Sequence, residues 1–179
     1  MVQTNKKVAV AVFDLRPIPE VIGVRHKSKN QRPLTPLFKE QSIPYINNYE
    51  NLSTKVRTMA EFYLKGDGLE VIQDCDQESK KLEITLEVFK YESIEVSWYQ
   101  MPKTKIRLYF TSRVKDENGN IVHTGQHEYT VEYVHAIFQP RSKKNEKNLS
   151  IAFSEGVKRI FDDQTLMGVL KSSLPSNNI

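Results

Sequence analysis

Three histidines on one segment, His123, His127 and His135, are the first residues whose type suggests chemistry, because imidazole is both a metal ligand and a general base. Spacing limits them. Four residues along a strand span about 13 Å, so His123 and His127 share a face yet cannot both reach one metal ion at a ligand distance of about 2 Å. No metal site is expected; these side chains read as packing groups on a sheet face or an edge, and His26 as a solvated one. The single cysteine, Cys75, lies in Gln73-Asp74-Cys75-Asp76, where two neighbouring carboxylates oppose formation of the nucleophilic thiolate. One cysteine also excludes an intramolecular disulfide and any multi-cysteine zinc or iron–sulfur site. Asp14 follows an apolar strand directly, where α/β enzymes place acids, but no glycine-rich phosphate loop follows it. The expected role is structural: Asp14 and Arg16 pair, or satisfy backbone donors, where the chain leaves the sheet. With no triad, dyad or metal set in view, no catalytic, metal or cofactor-binding residue is assigned, and the chain reads as a non-enzyme that needs no cofactor.

Binding chemistry is better represented. The 26 bases exceed the 22 acids, for a net charge of +4, and residues 1–50 hold the excess, with eight bases against four acids. From Arg25 to Lys39 there are five bases and no acid, and Arg141, Lys143, Lys144 and Lys147 have only Glu146 among them. Such runs suit an anionic partner. Arg25, Lys27, Lys29, Arg32, Arg141, Lys143 and Lys144 are therefore the candidate contacts to an anionic surface, against the simpler reading of solvated loops. Lys105-Ile106-Arg107-Leu108-Tyr109-Phe110 and Phe89-Lys90-Tyr91 interleave aromatics with bases, a pattern that stacks single-stranded nucleic acid. Glu83, Glu87, Glu92 and Glu95 on the neighbouring strand would repel its phosphates, so nucleic acid is an unfavoured partner.

The elements that must position these groups follow from hydrophobic period. At 179 residues and 39% hydrophobic, the chain fits one domain spanning 1–179 with a core of its own. The longest apolar run, Val8 to Phe13, is far short of the roughly 20 residues that span a bilayer. It predicts a central strand buried on both faces. Residues 1–7 are expected as a flexible tail, 16–48 as a long basic loop punctuated by prolines, and 172–179 as a second tail. Leu52, Val56, Met59, Ala60 and Tyr63 recur at helical spacing between Asn51 and Lys65, and Gly66-Asp67-Gly68 stops that helix. Leu69–Ile72 predicts a short strand, and Leu82, Ile84, Leu86 and Val88 alternate as a half-buried strand does. Ile94, Val96 and Trp98 resume that parity after a charged bend, with Trp98 and Tyr99 expected in the core. Ile106, Leu108 and Phe110 make the next strand; Asn118-Gly119 turns the hairpin; Tyr129, Val131 and Tyr133 face one way on the return. After a basic gap from Pro140 to Asn148, Leu149 to Phe161 predicts a second helix, and Asp162 or Asp163 caps a short third one. The fold class is α+β: a mainly antiparallel sheet of about five strands, two main helices on one face, and a short C-terminal helix.

In this order the elements resemble those of the YajG family of bacterial lipoproteins. The matching residues are Val8–Phe13 with Asp14-Leu15-Arg16 and Ile22-Gly23, the helix from Asn51 to Lys65 leading into Leu69–Ile72, Leu82–Val88 with the Asn118-Gly119 turn, and Asn145–Asp163 followed by Gln164–Leu170. The resemblance implies a mature domain tethered through an acylated N-terminal cysteine, on the periplasmic side of the outer membrane. Met1-Val2-Gln3-Thr4-Asn5 holds neither signal peptide nor lipobox cysteine, so the chain either begins after its anchor or is soluble. The family brings no catalytic residues. The implied function is a non-enzymatic periplasmic binding or scaffold role. Its partners would be other envelope proteins or an anionic lipid or glycan surface. Alternatives are a structural subunit of a large secretion or motility complex, in which sheet edges pair with neighbours, and a nucleic-acid-binding domain using the basic loop.

Overall fold

A computed structural model describes residues 6–16, 21–24, 46–47, 51–73, 79–94, 103–134 and 141–172. Its spine is β5 (Lys80–Ile94), a strand of 15 residues. Along one edge of β5 runs β6 (Lys103–Lys115), antiparallel over the whole length, and beyond it β7 (Ile121–Val134), also antiparallel. The other edge is shared. β1 (Lys7–Asp14) pairs parallel with the first half of β5, from Lys80 to Leu86, and β2 (Val21–Val24) pairs parallel with the second half at Tyr91 and Glu92. β3 (Ile46–Asn47) lies antiparallel on β2, and β4 (Glu70–Ile72) parallel on the outer side of β1. The sheet is thus mixed but mainly antiparallel, in the expected α+β class. The stretch 16–48, expected as one loop, contains two short strands; two to four residues are too few for alternation to show, and Pro17 and Pro19 mask them further. Lys7, assigned above to the N-terminal tail, opens β1.

A one-residue insertion decides which residues of β5 face the core. Leu82, Ile84 and Leu86 are buried, but the register shifts between Leu86 and Val88, with Glu87 as the extra residue. Phe89 and Tyr91 take the buried face beyond it, and Val88 turns outward to 38% exposure. The expected parity through Val88 is therefore corrected, and the strand continues through Phe89–Glu92, where a bend was expected. Alternation cannot reveal such a bulge, because the residues on either side of it obey the period separately.

The helices cover one face. α1 (Leu52–Gly66) starts where Asn51 Oδ1 accepts from Thr54 N at 3.3 Å, and its Leu52, Val56, Ala60 and Leu64, four apart, form the buried stripe. α2 (Arg141–Phe161) begins two turns earlier than expected, so the basic gap is helical. Arg, Lys and Glu are good helix formers, but they supply no apolar stripe before Leu149, so periodicity is silent there. α3 (Gln164–Lys171) follows at once. Phe153 of α2 packs its ring 5.5 Å from that of Phe89 and 6.5 Å from that of Phe110, and Tyr63 of α1 stacks on Phe161 at 5.1 Å. Between β6 and β7 the chain reverses over Asp116–Asn120. Asp116 Oδ1 accepts from Asn118 N and Asn120 N, and Gly119 takes the left-handed φ of +83°.

Candidate functional site

Of the bases expected to meet an anionic partner, Arg25, Lys27, Lys29 and Arg32 lie outside the described residues, as do His26, Cys75, Trp98 and His135. Arg141, Lys143 and Lys144 fall in the first turn of α2, not in a loop. At the end of β1, Arg16 grips Asp14: Nε donates to Oδ1 at 2.8 Å, Nη2 to Oδ2 at 2.6 Å, and the Arg16 backbone N–H to Oδ1 at 3.3 Å. Arg16 is only 5% exposed. A fork this close offsets the cost of taking a guanidinium out of water. The pair stands beside the bulge, where Leu15 N donates to Leu86 O at 3.0 Å as β1 leaves the sheet.

A second polar cluster lies between sheet and helices. His123 and His127 alternate with Gly125 on the inward face of β7. His127, 8% exposed, shares a hydrogen bond of 2.8 Å between its Nε2 and Ser112 Oγ of β6, itself fully buried. Burial holds the His127 imidazole below its ordinary pKa of 6.5; the Asp163 carboxylate opposes that shift and His123 reinforces it. Asp163 caps α3 through Oδ1, which accepts from Thr165 N at 2.9 Å and Leu166 N at 3.2 Å, while its Oδ2 is 4.0 Å from His123 Nε2. Gly125 makes the cluster possible. A Cβ there would fall 2.9 Å from both His127 Nε2 and Ser112 Oγ. Among the described residues no His, Cys, Asp and Glu come together as a metal-holding group. Ser112 went unrecognised in the sequence; the readable signal was a glycine between two histidines at the inward positions of one strand.

The opposite end of α3 is held by lysines. Lys80, nearly buried, donates from Nζ to Ser172 O at 2.9 Å, to Ser172 Oγ at 3.0 Å and to Val169 O, and Lys6 Nζ donates to Lys171 O. Burial, with Lys6 nearby, lowers the Lys80 pKa. These ammonium groups meet the carbonyls that a helix C-terminus leaves unpaired.

The face of the sheet away from the helices carries a lattice of charge. Lys115 and Lys81 reach Glu83 at 2.9 and 3.1 Å, Lys90 and Arg107 reach Glu92 at 2.7 and 4.0 Å, and Lys105 reaches Glu132 at 3.7 Å. The Lys90 hydrogen bond holds the Glu92 carboxyl below the usual range. At Glu83 partial burial pushes upward, and the bonds from Lys115 and Lys81 outweigh it. Two of the bases interleaved with aromatics, Lys105 and Arg107, are thus paired with carboxylates. Phe110 points into the core, as do Phe89 and Tyr91.

A helix-backed, mainly antiparallel sheet whose other face is charged defines the class, a small α+β domain. The chain belongs to a family of bacterial lipoproteins, Lipoprotein_16, described as uncharacterized lipoprotein, which matches residues 1–171. The protein is therefore an envelope-associated lipoprotein at that level of description. Its fold is similar to that of a minor lipoprotein from Acinetobacter baumannii, at 13% identity and a TM-score of 0.53, covering 92% of this chain and 94% of that one. It is similar also to protein XCC0632 from Xanthomonas campestris, at 8% identity and a TM-score of 0.52, covering 94% and 86%. No curated protein matches the chain.

Proposed function

We propose that the protein is a non-enzymatic, YajG-like lipoprotein domain on the periplasmic side of the outer membrane, and that it binds or scaffolds other envelope proteins. The observation that carries this reading is the outer edge of β7. Among the described residues this strand of 14 residues pairs with β6 on one side and with no strand on the other. It exposes Ile121 and Val122 at one end and Val134 at the other. Beyond an irregularity at Val122, β7 keeps an unbroken register with β6 from His123 to Val134, and such an edge offers backbone donors and acceptors to an added strand. The edge favours a subunit of a larger envelope assembly over a solitary anchor. Arg25, Lys27, Lys29 and Arg32 supply a separate contact to anionic lipid or glycan.

Two experiments test the proposal. A photo-crosslinking residue placed at Thr124, Gln126 or Thr130 in the full-length gene product should capture an envelope protein in cells, and one at Phe62 on α1 should not. Equal capture from both sites, or from α1 alone, overturns the edge assignment. Neutralising Arg25, Lys27, Lys29 and Arg32 together should abolish retention on anionic vesicles; unchanged retention by the folded variant removes these bases from the contact surface.

A further inference from the structure

The corner at which α2 turns into α3 rests on the inward face of β7, above two histidines. Its contacts there are of unequal kinds. Asp163 uses one carboxylate oxygen to cap α3 and directs the other at His123 Nε2, a buried atom with no hydrogen-bond partner 4.0 Å away. His127 lies one step deeper, against the neutral Ser112 of β6, in a space that exists only because residue 125 has no side chain. The charged groups that act on it are Asp163 at the corner and His123 on its own strand; farther along β7, the Arg159 guanidinium of α2 stands 5.1 Å from the centre of the Tyr129 ring. A single carboxylate, already engaged in capping, therefore faces two imidazoles.

We propose that this corner is an acid-sensitive latch, closed while His127 is neutral and opened when His127 takes a proton. A proton on His127 places a cation in a buried site, against a neutral hydroxyl and near a carboxylate already engaged in capping α3, and water becomes the better environment for it. The direction agrees with the depressed pKa of His127. A group whose folded pKa lies below its unfolded value contributes stability that is complete above 6.5 and is lost as pH falls from there toward the folded pKa. Opening uncovers the buried side of α3, Leu166, Met167 and Leu170, so acid converts a closed surface into an apolar one.

Hydrogen exchange on the whole chain tests the latch. After correction for intrinsic exchange chemistry, opening of residues 162–172 should rise by up to about tenfold per pH unit below 6.5, the limit for one proton, while β5 and β6 amides stay protected. His127→Gln keeps an amide beside Ser112 but cannot charge, and its profile should be flat. Asp163→Asn keeps a capping oxygen and removes the counter-charge that acts on His127 among the described residues, so its loss at about pH 5 should exceed that of the parent. Should His127→Gln not fold, NMR titration of the histidine rings in the parent decides. Titration of His127 at or above 6.5, α3 exchange that does not change with pH, or an unaltered pH profile in His127→Gln would overturn the proposal.

Discussion

Gly125→Ala isolates the packing on which the buried histidine depends. The new Cβ would stand 2.9 Å from His127 Nε2 and Ser112 Oγ and 3.2 Å from His127 Cε1, so the two atoms that now share a hydrogen bond of 2.8 Å must part. Two effects oppose each other. Alanine restricts the unfolded chain and gains about 0.5–1 kcal/mol over glycine within a strand. Separating two buried polar groups costs about 1–3 kcal/mol, and crowding a packed site adds a further cost of about 1–3 kcal/mol. The net expectation is a loss of about 1–5 kcal/mol, because the penalties exceed the entropic gain. In urea, with a slope of about 2 kcal/mol per molar, the midpoint should fall by roughly 0.5–2.5 M at constant slope. Repeating the substitution in a Ser112→Ala background removes one of the clashing atoms, so the cost should shrink. A Gly125→Ala protein as stable as its parent, or equal costs in the two backgrounds, would refute the reasoning.

Two further substitutions probe other parts of the framework. Asp14→Ala removes the carboxylate that the buried Arg16 guanidinium grips and should cost about 3–5 kcal/mol, whereas Asp14→Leu with Arg16→Met should recover most of that loss in chemical denaturation. Phe153→Ala removes the ring that joins Phe89 and Phe110 under α2, and should cost about 3–5 kcal/mol as read from the thermal midpoint.

What the sequence made legible is what long periods express. α1 is announced by Leu52, Val56 and Ala60, with glycines at its end, and β6 by Ile106, Leu108 and Phe110. Features set by one residue or by tertiary pairing stayed hidden. Glu87 inserts into β5 without breaking the alternation on either side, β2 is four residues long, and the first two turns of α2 are helical without being apolar. For the candidate sites, the charge runs were plain because charge is additive along a chain. The Ser112–His127 bond joins residues 15 apart through a strand register, and the Lys80 contact with Ser172 joins residues 92 apart; no local pattern encodes either. Asp14 and Arg16, two residues apart, are the exception, since their contact is local.

The pairing of β2 with β3 also has a use in engineering. Because those strands are hydrogen-bonded neighbours, the 21 residues from 25 to 45 depart and return at adjacent points on the sheet. The entropy of closing a chain segment grows only with the logarithm of its length, so doubling it costs about 0.6 kcal/mol. A fusion partner spliced between positions 40 and 45, C-terminal to the four bases proposed as a contact, would therefore ask little of the β2–β3 pairing.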